Sequence, residues 1–503
     1  MTANGAVAPP AARPARLVPR IGILVVVAGV LVAAGLADRP AGTSAAAPAA
    51  VAMPIAAPPA ALSSSWFCAG AIGQPAHQAD GRLVVANAGS RALKGTVTVI
   101  PSAGPPTTQA IAVGADNRVT VVETAGGSAP YIAAVVALDG GQAAVQQVVA
   151  GPDGATSSTP CATTGSNSWY FPAGTTQEAA TLQVSLLNPY PDDAIADLSF
   201  TTEQGQENPQ DFQGIVIPAN HVVGLDLGSH LRRRAAVATT VKLRVGRVAA
   251  FATQVVHTQS QAAAAAAPPG TVPWTPGLSV VLGSPSPGTT WWWPDGAAGD
   301  GFNEQYVIYN PGAAEARVTV SVDLDQGSSD PFQLTVDPHS VVAVVSNSES
   351  RIPKGVGHAV TLRSTNGVGV IAERMVQAVA PAPQTGLAQV PGSRLLGRHW
   401  LLPGTGIADG VTQSVVIYNP GTAPVSVAVK HLSDGQLLGL SGSEEIRIAP
   451  NHRFVVAADA QNPNPALSDA VVIESSGPVA ALRSSSPVKG PGIDESLGVP
   501  LDQ

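Results

Sequence analysis

At 503 residues the chain is too long for one ordinary core, so it reads as several domains. Charged residues make up 12% and aromatics 4%, while Gly, Pro, Ala and Val abound: too much apolar surface for wholesale disorder, too little charge for long polar helices. A formal net charge of −8 provides no broad basic surface, which excludes nucleic acid as an expected partner.

Arg13, Arg16 and Arg20 precede an uninterrupted apolar run from Ile21 to Ala37. At about 17 residues the run is at the short end for a bilayer span and longer than many signal-peptide cores. Residues 1–20 are therefore read as cytoplasmic, 21–37 as a transmembrane helix or signal segment, and everything after Asp38 as outside. An uncleaved single-pass anchor in the cell membrane is favoured; Gly35-Leu36-Ala37 keeps cleavage and secretion open as the alternative. Residues 38–62 contain little but Ala, Pro and small residues and read as a linker, with a reach of roughly 75 Å if extended.

From there the chain repeats. Trp66-Phe67-Cys68-Ala69, Trp169-Tyr170-Phe171-Pro172, Trp291-Trp292-Trp293-Pro294 and Trp400-Leu401-Leu402-Pro403 recur at spacings of about 103, 122 and 109 residues. Each is followed by a strand ending in an Asn turn: LVVANAG, VSLLNPY, YVIYNPG and VVIYNPG, the hexapeptide VIYNPG occurring twice word for word. Next come a second turn (VGADNRV, VIPANHV, VDPHSVV, IAPNHRF) and a late pair of apolar strands joined by tight turns, which predicts a hairpin in each repeat. A closing segment, GLSVVLGSP, GLAQVPG or GIDESLGVP, ends the later three. Seven or eight short alternating strands in about 105 residues describe an antiparallel β-sandwich of the immunoglobulin-like kind. The expected fold is all-β, four tandem sandwiches at 63–168, 169–290, 291–399 and 400–503, in preference to a propeller, whose blades take four strands each.

Cys68 and Cys161 are expected to pair in the oxidising compartment that export implies, stapling the first sandwich end to end; two buried thiols are the alternative. No Gly-x-Ser-x-Gly elbow, phosphate-binding loop, His-Glu-x-x-His helix or EF-hand spacing appears, so no catalytic, cofactor or metal site is expected. His221, His339 and His452 recur at one turn of three repeats and read as turn residues, as do Asp139, Asp295 and Asp434 in Asp-Gly pairs. Two triplets stand out as candidate ligand contacts. Trp291, Trp292 and Trp293 present flat rings suited to a sugar, against the reading that the recurring Trp plugs its own core. Arg232, Arg233 and Arg234 form a short basic loop suited to anionic polymer or headgroups, against that of a solvated loop.

With these landmarks the chain resembles, over roughly residues 63–503, an actinobacterial family of unknown function: N-terminally anchored or secreted proteins with repeated β-sandwich domains, Trp-x-x-Pro strings and Asn-Pro turns. The resemblance implies export and supplies no catalytic residues; the first repeat departs from it, with Ala88 in place of the Pro. The expected function is a non-catalytic envelope scaffold or interaction protein, partnered by the membrane through its helix and by an envelope protein or cell-wall glycan. Glycan binding through exposed Trp is the alternative, and an enzyme of envelope glycan metabolism ranks below both.

Overall fold

The computed structural model describes residues 54–73, 78–123, 129–151, 154–258, 275–405, 411–458, 465–488 and 490–502. By contacts the chain divides into residues 1–50 and 51–503, and all described residues belong to the second unit. Residues 1–53, with the apolar run 21–37 and the start of the linker, lie outside the described residues. Among the described residues no helix is long and apolar enough to cross a membrane.

The architecture is all-β, built of antiparallel sheets in sandwich-like domains. Each repeat forms two sheets. In the first repeat the opening Trp strand Ser64–Ile72 edges a sheet continued by Tyr131–Leu138, Leu93–Pro101 and Thr107–Val113. The companion sheet runs from Asn117–Val122 through the Asn strand Asp80–Asn87 and the late strand Ala143–Ala150 to the closing strand Thr156–Pro160. The pattern recurs with Trp strands Ser168–Phe171, Thr290–Trp293 and Gly397–Leu402, and Asn strands Ala180–Asn188, Phe302–Asn310 and Val411–Asn419. In the last repeat one strand, Ala470–Pro487, serves both sheets and joins them.

The expected hairpins do not form. The two late strands of a repeat lie in different sheets, so their tight turn carries the chain across the sandwich instead of folding it back on itself. The reason lies in burial. The second late strand is buried along almost its whole length in the first three repeats, because one face fills its own sandwich and the other meets the neighbouring repeat. Such a strand needs partners on both edges, and the Asn strand and closing strand supply them.

The repeats pack side by side and come full circle. Thr253 Oγ1 donates to Gly70 O at 2.7 Å, joining the second repeat to the first. Tyr309 and Thr240 hydroxyls meet at 3.0 Å between the third and second, and Tyr418 and Thr361 at 2.9 Å between the fourth and third. Arg118 of the first repeat donates to Pro403 O of the fourth at 3.3 Å. The ring is also strapped at this seam: Ala56 N donates to Pro500 O at 3.0 Å and Gln142 N to Ala57 O at 2.8 Å. Ala56 and Ala57, within the sequence-defined linker 38–62, thus belong to the folded body.

VIYNPG is part of this framework. Asn310 and Asn419 are buried, and each accepts the N–H two residues on (Gly312, Gly421, both 3.0 Å). Each donates through Nδ2 to the carbonyl four residues on (Ala314 at 2.8 Å, Ala423 at 2.9 Å) and to the end of a strand in the facing sheet (Val336 at 3.0 Å, Ile448 at 3.2 Å). Asn87 and Asn188 make the matching turn bonds. Tyr309 and Tyr418 are the residues that latch onto the preceding repeat. Asn419→Ala is therefore expected to cost about 3 kcal/mol, from several buried backbone groups left unpaired. Asn419→Asp should cost more, since a carboxylate keeps the Gly421 bond but faces the carbonyls with oxygen; urea melts followed by Trp fluorescence will rank the two.

The turn histidines sit where the sequence reading put them. His339 occupies a left-handed position (φ 52°), as do Asp116, Asn220 and Asn451 at the corresponding turns of the other repeats. These are residue types that tolerate φ > 0. His221 and His452 begin the strands that follow.

Candidate functional site at the axis of the ring

The closing strands Thr156–Pro160, Gly277–Leu282, Gly386–Pro391 and Asp494–Leu497 lie each against the next, and the fourth lies against the first. They line the axis. Where they end, all four repeats line a partly open pocket of about 50 Å³, walled by Pro160, Trp169, Leu282, Trp291, Pro391 and Leu497, with room for a few waters. Where they begin, a wider opening of about 500 Å³ is bordered by Val256, His257, Leu278, Val379, Thr385 and Pro491.

Between these ends the axis is crossed by buried polar links. Asp494 and Glu495, adjacent on the last closing strand, turn to opposite neighbours. Asp494 accepts from Ser158 N at 2.6 Å and from Ser158 Oγ at 2.7 and 2.8 Å, joining the fourth repeat to the first. Burial pushes its carboxyl up to about 6, against the hydrogen bonds from Ser158 and Ser485. Glu495 pairs with Arg374 Nη1 of the third repeat, and burial pushes it up to about 7 against the pull of that guanidinium.

Arg374 belongs to a second, deeper cluster. Its Nε donates to Glu304 Oε1 at 2.6 Å; Glu304 Oε2 lies 2.5 Å from Ser346 Oγ and 2.9 Å from His358 Nε2, which also lies 3.3 Å from the Tyr306 hydroxyl. Glu304 and His358 are 0% exposed, so no substrate reaches them in this state. Burial opposes ionisation of Glu304, but Arg374 and His358 outweigh it and hold the carboxyl well below the usual carboxylate range. Gln147 and Arg483 occupy the same position in the first and fourth repeats, four residues before the Asn across the pairing. Gln147 donates to Glu123 at 2.9 and 3.0 Å, and Arg483 to Gln413 at 2.7 Å and to Asp469 O at 2.8 Å.

The recurring Trp residues are core. Trp169, Trp291 and Trp400 are buried and donate their indole N–H to Val248, Val370 and Val479 carbonyls at 2.8, 3.2 and 3.0 Å, one carbonyl in three repeats. Trp291 is further covered by the Arg394 guanidinium, 5.4 Å from its ring centre. Trp293 is buried and meets Tyr306 edge-on at 5.2 Å. Trp292 is half-buried, its backbone bonded to Ser393 on one side and in register with Thr361 on the other. Of the second triplet, Arg234 forms a bidentate pair with Glu207 at 2.7 and 3.1 Å, Arg233 lies exposed 3.9 Å from Glu178, and Arg232 is exposed. The two triplets belong to different repeats.

The disulfide Cys68–Cys161 forms as expected and is fully buried. An oxidised, native bridge fits an extracytoplasmic compartment. Its position has counterparts. Cys161, Gly283, Gly392 and Gly498 each donate their backbone N–H to the late strand, to Val145, Ala250, Ala372 and Ala481. Facing them, two residues after each opening Trp, stand Cys68, Phe171, Trp293 and Leu402. A Cβ added to Gly283 would lie 2.7 Å from Phe171, and one on Gly392 2.8 Å from Trp293. The first repeat thus replaces a side chain packed over glycine with a covalent bridge.

Nothing local in the sequence groups Glu304, His358, Arg374 and the Asp494–Glu495 pair into a cluster. Their one signal is charge in strands that are otherwise apolar, IAERMVQA and the DE of GIDESLGVP.

The profile described as "Family of unknown function (DUF5719)" matches residues 119–399 and 397–495. The chain belongs to this family. The DUF5719 match begins within the first sandwich and ends inside the closing strand of the fourth, taking in both Asp494 and Glu495. No curated protein matches. Among solved structures, a crystal structure titled Thermotoga maritima 1070 is 18% identical, covering 21% of this chain and 94% of its own, with a TM-score of 0.20. A tetra-tandem repeat from the extending region of a large adhesion protein is 12% identical over 87% of this chain and 100% of its own, TM-score 0.10. An α-L-rhamnosidase of Streptomyces avermitilis is 10% identical over 80% of this chain and 54% of its own, TM-score 0.11. At these scores none of the three bears on the function of the DUF5719 chain.

Proposed function

We propose that the protein is a non-catalytic, membrane-anchored scaffold or interaction protein of the bacterial cell envelope, its ring held outside by the segment 21–37 and the Ala/Pro linker. The observation that carries this reading is where the polar chemistry goes. Glu304, Arg374, Glu495 and Asp494 are buried and bonded to one another or to neighbouring repeats, as joints of a rigid body. Closely packed joints of this kind suit a body that presents a fixed surface. The half-buried Trp292 and the exposed Arg232 and Arg233 remain the candidate contacts on that surface.

The test is proximity crosslinking of the intact protein in its own envelope. A protein partner that stays attached after glycan digestion is the expected result. Retention on isolated cell-wall polysaccharide, lost in a folded Trp292→Ala variant, would replace this reading with glycan binding.

A further inference from the structure

The cluster that joins the third repeat to the fourth is unbalanced in charge. Glu304 and Glu495 are two carboxylates around one guanidinium, Arg374, with His358 2.9 Å from Glu304 and every member buried. The nearest further charges give no relief: Arg453 is shared between Asp295 and Asp325. From the Asn strand Tyr306 also faces the cluster, and opposite Glu495 in its own sheet stands uncharged Ser484. The adjoining closing strands, TSSTP and GLAQVP, contain no charged residue. Two carboxylates against one guanidinium reach neutrality in a buried site by keeping one proton on a carboxylate, and Glu495 is the one placed to hold it. We propose that the Glu304–His358–Arg374–Glu495 cluster holds one exchangeable proton and so makes the joint between the third and fourth repeats a pH-sensitive clasp of the ring, tight in mild acid and looser from neutrality upward.

The sign follows from where the proton sits in each state. In the closed ring burial pushes Glu495 up to about 7. In the opened chain a glutamate releases its proton above about 4.3. Between about 4.3 and about 7 the closed state therefore binds more protons than the open one, so stability falls as pH rises through that window and levels off above it. One proton of difference raises the opening constant by up to about tenfold per pH unit.

Urea melts of the whole chain and its Glu495→Gln variant, compared across mildly acidic to mildly alkaline pH, test the clasp. Glu495→Gln keeps the shape and removes the ionisable group. The expected result is a shallower loss of stability with rising pH in the variant; Asp494, Glu123 and Glu373 contribute equally to both proteins and cancel. Parallel curves overturn the proposal. Should the variant not fold, hydrogen exchange in the unmodified protein reads the same joint. Once corrected for base catalysis, the opening constant of Ile371–Ala378 and Asp494–Leu497 should rise with pH, and a flat profile there overturns the proposal equally.

Discussion

Arg374→Leu will destabilise the protein by about 3–5 kcal/mol, the usual cost of removing one partner from a buried ion pair. The leucine fills part of the space but leaves Glu495 without its guanidinium and Glu304 with the Ala297 N–H, Ser346 and His358 and no countercharge from an arginine. Both carboxyls must then be protonated or hydrated inside a site that is almost wholly shielded from solvent. The informative comparison is Glu304→Gln with Arg374→Met and Glu495→Gln, which removes all three charges together. The triple variant is expected to be more stable than the single one, because the cost lies in the uncompensated charge and not in the missing contact. Urea midpoints of the two variants decide this; a triple variant weaker than Arg374→Leu would mean that packing governs the site.

Replacing both Cys68 and Cys161 by serine will cost up to about 4–5 kcal/mol, the chain-entropy value for a bridge that spans 93 residues. The other repeats indicate a repair. Phe171 packs over Gly283 where the first repeat has its two cysteines, so Cys68→Phe with Cys161→Gly should recover part of the loss without any covalent link. Because both sulfurs are fully buried, the native protein is also expected to keep its bridge in mild reductant and lose it only on unfolding. Thiol labelling at increasing urea checks this, and labelling in the absence of urea would count against it.

Much of the fold is legible in local patterns. Alternation, the Asn turns and the Trp strings mark the strands of each repeat, because each is dictated by neighbours within a few residues. The late strands mislead for a physical reason. AAVQQVV and IAERMVQA are buried on both faces, so neither alternation nor turn type reveals which sheet receives them. The ring is less legible still. Its closure rests on pairs such as Ser158 with Asp494, 336 residues apart, and nothing in either local sequence names the other. The cluster announces itself only as charge out of place: Glu373-Arg374 within an apolar strand and Asp494-Glu495 in a closing segment. Which charge meets which follows from the circular packing of repeats, a property of the whole chain.

The order of synthesis gives the buried bridge a further meaning. The first sandwich folds first, since domains form as the chain emerges, and one of its neighbours, the closing strand of the fourth repeat, is made 336 residues later. Until Asp494 arrives at Ser158, the outer face of the companion sheet, including Arg82 and Gln146, faces water and not protein. Of the four repeats, the first waits longest as half of an unfinished interface. The covalent link within it lets that half-finished state persist until the fourth repeat arrives to complete the ring.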